Sequence, residues 1–409
     1  MNIIQISDTD LPGRRFNGYD LKLFLNQQGH QVYQFVMNKV SNDPNTIQLL
    51  TDRGLIIRTM LIDFEKRLCM NGLTYPYGEI MKGRQEFQKA DIIHYHLIHN
   101  YFLSLLDLPL LTKLKPSVWT IHDPWAFTGH CVYPMDCEGW KTGCIPCPRL
   151  QDHFPMRYDK AGQMWKIKRQ VYNEMDIDII VSSKFMEDYV RNSPLTSHFK
   201  NIHRIPFGIR TEDFRRATRD NARKRWRIPD HHFVIAFRSE QNKYKGVKYI
   251  LEMLKKLSST KPITLITVGS EPLPSGLRKR FNVIELGWQN DLNTLYDFYA
   301  ACDVFLMPSI AESFGLMAIE AMASARPVIV FEGTALPDVT FAPDCGIAVP
   351  YKNSDALRVA VERLINNPEE CRYRGELGRK LAEQHYKFED YVRRHIELYQ
   401  EIFNRKRIR

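Results

Sequence analysis

No apolar stretch in this chain approaches the ~20 residues that a membrane-spanning helix needs, so a spanning protein is not expected. The opening residues, Asn2-Ile3-Ile4-Gln5-Ile6, read as a strand and lack the basic, apolar, small-residue order of a secretory signal. The expected location is the cytoplasm, with loose contact at the inner face of a membrane left open. Aromatic and basic residues are not interleaved as in nucleic-acid modules, so no nucleic-acid partner is expected. No repeat recurs at a solenoid period. Disorder is not expected either, with 44% hydrophobic and 25% charged residues.

What the chain has in excess is positive charge: 57 Lys and Arg against 47 Asp and Glu, for a net +10. Such a surface can draw phosphorylated substrates or anionic lipid. The densest basic runs are 215–227 and 405–409, and the first reads as a solvated helix face. The 409 residues suit two domains.

Short apolar runs alternate with helix-period patterns throughout. Strands are expected at 3–6, 31–37, 92–95, 117–121 and 177–181, and again at 233–237, 263–268, 283–286, 304–307 and 328–331. A helix with Leu21, Phe24 and Leu25 on one face follows the first strand and stops at Gly29. Ile205-Pro206-Phe207-Gly208 punctuates the join between two such series. The fold class expected is α/β, with two Rossmann-like domains facing across a cleft. Ligands then bind outside the carboxyl ends of the strands.

The segment from Pro308 to Glu320 follows an expected strand and leads into an alanine-rich helix starting near Phe314 or Gly315. A helix start offers unpaired backbone N–H groups and partial positive charge, which suits a diphosphate. Gly315 lets the backbone come close. Glu312 in the loop can accept hydrogen bonds from sugar hydroxyls, and Glu320, two turns on, suits a bidentate grip on a ribose. The bland alternative makes Glu312 a cap and Glu320 a surface acid, but Ile319, Ala321 and Met322 flank Glu320. A second segment, Arg238-Ser239-Glu240-Gln241-Asn242-Lys243-Tyr244-Lys245-Gly246, also follows a strand and precedes a helix. Its cations can neutralise a departing diphosphate without a metal. Lys243 competes with Lys245 for that role, and solvated loop cations are the alternative.

These segments resemble the retaining glycosyltransferases of the GT-B fold, family 4 (glycosyltransferase group 1). Glu312 and Glu320 around Ser-Phe-Gly-Leu are similar to that family's E-x7-E element. The resemblance implies that Glu312, Phe314, Gly315, Leu316 and Glu320 hold a nucleotide-diphosphate sugar, the first acid on the sugar and the second on the ribose. Arg238 and Lys245-Gly246 resemble the family's Arg…Lys-Gly pair on the diphosphate, with two extra residues between them. Gly269 and Gly287-Trp288 resemble its Val-Gly and Gly-phi elements, although packing explains these nearly as well. The loop 8–18 resembles the family's first Gly-rich loop, with Phe16-Asn17-Gly18 in place of Gly-Gly, and implies Gly18 near the donor phosphates. Asp91-Ile92-Ile93-His94-Tyr95-His96 and Thr120-Ile121-His122-Asp123 match two further strand ends. They imply His122 beside the transferred sugar, with His96 a weaker candidate. The implied plan is an acceptor-binding domain over 1–205 and a nucleotide-sugar domain over 206–383. A helix over 384–409 then returns to the first domain.

Of eight cysteines, Cys69, Cys302, Cys345 and Cys371 stand apart, whereas Cys131, Cys137, Cys144 and Cys147 crowd into an insertion over 125–150. Their C-x5-C-x6-C-x2-C spacing has one tight pair where structural zinc usually shows two. The four still make a candidate structural zinc set, with His130 as a competitor and with reduced thiols or a disulfide as alternatives. A similar run occurs in a polysaccharide-biosynthesis branch of the family, which implies a saccharide or lipid-linked oligosaccharide acceptor and peripheral membrane contact. Asp8-Thr9-Asp10 and Asp176-Ile177-Asp178 read as chance rather than as metal-binding triplets.

The implied reaction is hexosyl transfer with retention. No carboxylate is placed as a covalent nucleophile, unlike in retaining glycosidases. Front-face attack is expected, with Arg238, Lys245, Glu312 and His122 at the reacting centre and domain closure excluding water. A nucleotide-sugar 2-epimerase of the same fold and a non-catalytic sugar or polyanion binder are the alternatives.

Overall fold

Runs rich in Ile, Val and Phe form two parallel sheets in a computed structural model, which describes residues 1–11 and 15–407. The first sheet contains β1 (Asn2–Thr9), β2 (Gln31–Asn38), β3 (Thr46–Gln48), β4 (Ile92–Tyr95), β5 (Ser117–Ile121), β6 (Asp178–Val181) and β7 (Ile202–Arg204), in the order β3-β2-β1-β4-β5-β6-β7. The second contains β8 (Phe233–Arg238), β9 (Ile263–Val268), β10 (Asn282–Glu285), β11 (Val304–Met307), β12 (Val328–Phe331) and β13 (Ile347–Val349), in the order β10-β9-β8-β11-β12-β13. Every pairing is parallel. Helices return the chain between most strands, whereas the short edge strand β3 follows its parallel neighbour β2 through a loop. They also cover the sheets, so β4, β5, β6 and β12 are buried along their whole length.

The chain divides into two units, Met1–Ile205 with Val392–Arg409, and Pro206–Tyr391. Three edge strands were not expected: β3, β7 and β13. Each has three residues, too few to display a period of two. Nor is there one helix beginning at 384. One helix ends at His385, and the last runs Phe388–Arg407. Tyr386 and Lys387 are drawn out of helical geometry by Ile209, whose N–H donates to the Tyr386 carbonyl (2.8 Å) and whose carbonyl accepts from Phe388 N–H (3.0 Å). Among the described residues, no helix is long and apolar enough to cross a membrane.

The charged runs are less solvated than their composition suggests. In the helix Arg219–Arg225, Arg223 is 1% exposed. It donates to the carbonyls of Ala301, Asp230 and His232 and to the Asp303 carboxylate (2.7 Å). A buried guanidinium with this many partners ties helix to sheet. The solvated-face expectation therefore fails at this residue. The basic end of the last helix is also docked: Arg405 pairs with Asp178 (2.5 Å) and Lys406 with Asp176 (2.6 Å). Asp176 and Asp178 are thus an anchor for that helix. In the other triplet, Asp10 is buried and accepts from Val40 N–H (2.6 Å) and the Ser41 hydroxyl (2.5 Å), closing a turn.

Asp178 yields a pH-dependent prediction. Burial pushes its carboxyl up, but His203 and Arg405 outweigh that and hold it below the usual carboxylate range. Its stabilising contribution is therefore full above the unfolded value of ~3.9 and is lost as pH falls through the lower folded value. Urea denaturation at pH 7 should show Asp178→Asn less stable by about 1.5 kcal/mol, the worth of a charge-assisted hydrogen bond to the partly exposed Arg405. The difference between the two proteins should shrink as the pH is lowered from about 4.

Candidate functional site

In the second unit, the loops that leave the carboxyl ends of β8 and β11 meet. The β8 loop carries Arg238, then a short helical turn, Lys243–Lys245, capped by the Asn242 side chain on Tyr244 N–H (3.0 Å). Gly246 follows at φ 73°, and a β-carbon there would overlap the carbonyl oxygen of Pro308 in the β11 loop. Only glycine permits both this backbone conformation and this contact. Ile310 N–H donates to the Tyr244 carbonyl (2.8 Å) and completes the joint. The result is a 2.8 Å ion pair between Lys245 Nζ and Glu312 Oε2, both largely shielded. Lys245, and not Lys243, meets Glu312.

The other expected donor residues fall around this pair. Arg238 pairs with Glu240 (2.5 Å), and its guanidinium lies 5.3 Å from the centre of the Trp288 ring. Gly269, at φ 122°, rests on Ser239 and donates its N–H to the Gly287 carbonyl (2.8 Å). This ties the β9 and β10 loops to that of β8. The helix after β11 runs Leu316–Ala323, with Gly315 at its N-cap at φ 102°. Glu320 accepts a 2.6 Å hydrogen bond from the buried Tyr299 hydroxyl. Burial, then the nearby Glu320 carboxylate, raise that hydroxyl's pKa well above its ordinary value, so it stays a donor. Phe314 is packed edge-on against Phe207 and Tyr386, so its ring belongs to the core. Leu316 is partly exposed at the helix start.

The first unit gathers a second group. His94 and His96 end β4, and His122 follows β5. His96 Nδ1 lies 3.1 Å from His122 Nε2, and His96 Nε2 lies 2.5 Å from Gln5 Oε1. Gly18, at φ 76°, packs on this group, because a β-carbon would overlap His96 and Gln5. Burial lowers the pKa of His96 well below its ordinary value and takes His122 to about 3, so both rings are neutral. Asp123 caps the turn Pro124–Phe127 through Trp125 N–H (2.9 Å) and faces His99 (3.3 Å). The first-loop residues 12–14 lie outside the described residues, so that part of the expected loop is not placed.

The cysteine insertion contains the turn Pro124–Phe127 and the short helix Gly139–Thr142. Cys131, Cys137, Cys144 and Cys147 line one small cavity with His130. All four are free thiols, and no three His, Cys, Asp or Glu side chains among the described residues converge as a metal site. As folded here, the set does not fit zinc. Cys131 and Cys144 are buried in the core, with pKa values pushed up by burial to about 12 and about 11, whereas Cys137 and Cys147 lie nearer the surface. The insertion is held by a residue that sequence reading missed. Lys168 is fully buried and donates to the carbonyls of Trp125 (2.6 Å) and Thr128 (2.9 Å). Burial lowers its pKa to about 7. The available signal was its place on the apolar face formed by Met164, Trp165, Val171 and Tyr172.

Comparison with known proteins agrees with this geometry. Residues 19–213 match the family described as Glycosyltransferase Family 4, and residues 218–381 match Glycosyl transferases group 1. The chain is similar to the putative colanic acid biosynthesis glycosyl transferase WcaC of Escherichia coli K12, with 28% identity over 259 residues, 61% of each protein. It spans about three fifths of the length of such curated relatives. Sucrose-phosphate synthase from Thermosynechococcus elongatus superposes with a TM-score of 0.70 at 20% identity, covering 98% of this chain and 99% of that one. Anabaena HepE in complex with UDP and glucose superposes at 0.64 and 14% identity, covering 98% and 99%. These structures establish the GT-B fold.

The Gly246–Pro308 contact gives the prediction for this site. Gly246→Ala should destabilise the chain by about 2 kcal/mol in a denaturant titration, from the positive φ and the overlap together. It should also part Lys245 from Glu312, because the loop carrying Lys245 must move.

Proposed function

We propose, for a chain that belongs to the family 4 (group 1) glycosyltransferases, that it moves a hexosyl group with retention from a nucleotide-diphosphate sugar to a saccharide acceptor. The observation that carries this reading is the Lys245–Glu312 pair at the meeting of the β8 and β11 loops. An ammonium has three N–H donors, so Lys245 can keep Glu312 and still meet a diphosphate. That one contact would join the diphosphate end of the donor to its sugar end. Arg238 supplies the second cation, and Glu320 takes the ribose. The acceptor oxygen attacks the anomeric carbon on the face the diphosphate leaves. The carbon–oxygen bond to phosphate breaks, and the acceptor proton passes to the departing phosphate oxygen. Arg238 and Lys245 stabilise the charge that develops there. The resemblance to the family is what assigns His122 to the transferred sugar and Gly18 to the phosphates.

HepE's UDP complex and WcaC's name favour a nucleotide-sugar donor and a role in bacterial surface polysaccharide synthesis. A lipid-linked acceptor would place the protein at the inner face of the membrane, and one surface suits that. On the helix Asp52–Leu68, Ile56, Met60, Phe64 and Leu68 recur every fourth residue and are exposed, with Ile57 beside them. Arg53, Lys66 and Arg67 on the same helix are also exposed. Exposed apolar residues flanked by cations suit an anionic lipid surface.

Thermal shift with UDP, GDP and their sugars tests the donor site. One nucleotide should raise the melting temperature by a few degrees. Lys245→Ala and Glu320→Ala should lose that rise, and Lys245→Ala should slow transfer about a hundredfold. Variants that respond like wild type would reassign the site to a binding role elsewhere. For the lipid surface, wild type should sediment with phosphatidylglycerol vesicles and Ile57→Asp/Phe64→Asp should not. Wild type left in the supernatant would remove the membrane from the proposal.

A further inference from the structure

The buried polar core of the first unit contains a hydrogen-bond chain whose direction is fixed by one side chain. Gln5, in the middle of β1, is fully buried. Its Nε2 donates to the Tyr399 hydroxyl (3.2 Å), and its Oε1 faces His96 Nε2 (2.5 Å). An amide oxygen can only accept, so His96 Nε2 must carry the proton. His96 is neutral, so its Nδ1 holds a lone pair and must accept. The 3.1 Å contact to His122 Nε2 therefore places a proton on His122 Nε2. His122 is also neutral, which leaves its lone pair on Nδ1.

The other arm is equally directed. The Tyr399 oxygen accepts from Gln5, so its own hydrogen goes to His94 Nδ1 (2.6 Å), and His94 Nε2 donates to the Thr120 hydroxyl (2.6 Å). Tyr399 belongs to the last helix, Phe388–Arg407, and His395 of the same helix stacks on His94 at 5.6 Å. The helix held by Asp176 and Asp178 thus delivers the hydroxyl that orients Gln5. Gly18 is part of the same device, because any side chain there would displace His96 and Gln5.

We propose that Gln5 is a positioning residue that, through His96, fixes His122 as the tautomer with its lone pair on Nδ1. His122 then presents an acceptor and no cation. The group it recognises must bring a hydrogen, as a sugar hydroxyl does. An ionised phosphate oxygen cannot. The ligand assignment rests on the glycosyltransferase reading, but the tautomer does not, and it can be measured on the full chain without ligand.

The experiment is long-range ¹H–¹⁵N correlation of the full-length protein labelled at histidine nitrogens, with His122 and His96 assigned from His122→Gln and His96→Gln. Wild-type His122 should show an unprotonated, pyridine-like Nδ1 and a protonated Nε2. Gln5→Met, close in volume and unable to hydrogen-bond, should leave His122 exchanging between tautomers, with averaged shifts at both nitrogens. Tyr399→Phe should alter His94 and, by releasing the Gln5 amide, move His122 part of the way toward the Gln5→Met pattern. Where transfer is measurable, Gln5→Met should lower kcat roughly tenfold, the worth of one hydrogen bond in the reacting complex. A protonated Nδ1 in wild-type His122 would overturn the proposal, whether or not Gln5→Met folds. Unchanged His122 shifts in a folded Gln5→Met would also overturn it.

Discussion

Strand β8 pairs in parallel with β11 at the middle of the six-stranded sheet, with Val304 opposite Ile235, Phe305 opposite Ala236 and Leu306 opposite Phe237. Those six side chains are all essentially inaccessible to solvent. Burying each large apolar one is worth about 1.5–3 kcal/mol. A slip of one residue would exchange the side chains packed on the two buried faces of the sheet. The register is therefore fixed, and with it the place where two loops emerge side by side. Lys245 and Glu312, 67 positions apart in sequence, meet for this reason. The contact between Gly246 and Pro308 then sets how closely the loops approach. The charge arrangement on which the proposed chemistry depends is thus a consequence of strand order, and the ion pair itself need contribute little to stability.

The first unit solves a different problem. Its sheet buries Gln5 between Ile4 and Ile6 on β1, His94 on β4 and His96 just after β4. Buried polar groups are costly unless each finds a partner. The cost is met by a continuous chain that runs through Gln5, Tyr399 and three imidazoles and includes a side chain from the far C-terminus. A network of this kind is stiff and directional, because each donor assignment forces the next. The last helix is consequently more than a strap. Its ion pairs at Asp176 and Asp178 hold Tyr399 where Gln5 needs it.

Much of this was legible in the sequence, because its signals are local. The long buried strands announce themselves by Ile, Val and Phe runs, and Arg238, Lys245-Gly246 and Glu312 end or follow strands in recognisable order, with Glu320 on the next helix. What was not legible depends on contacts between distant segments. Arg223 looked like part of a solvated basic helix until Asp303 and three carbonyls covered it. Asp176 and Asp178 looked like chance until Arg405 and Lys406 reached them. The ring of Phe314 fills a core between Phe207 and Tyr386, a placement the sequence did not announce. The four clustered cysteines raised zinc by their crowding, although their spacing has only one tight pair, and the insertion folds with two of them inside and two nearer the surface. Gln5 gave no signal beyond being a polar residue in an apolar strand. That is the one place where a sequence reader could have asked what it binds.

The measurement that bears most directly on the account is hydrogen–deuterium exchange of the intact chain with and without a saturating nucleoside diphosphate. The account predicts slower exchange in residues 239–247 and 308–320, the loops that β8 and β11 deliver to one place, with little change in the cysteine insertion. Protection confined to other segments, or protection of 308–320 without 239–247, would contradict the claim that these two loops form one diphosphate site.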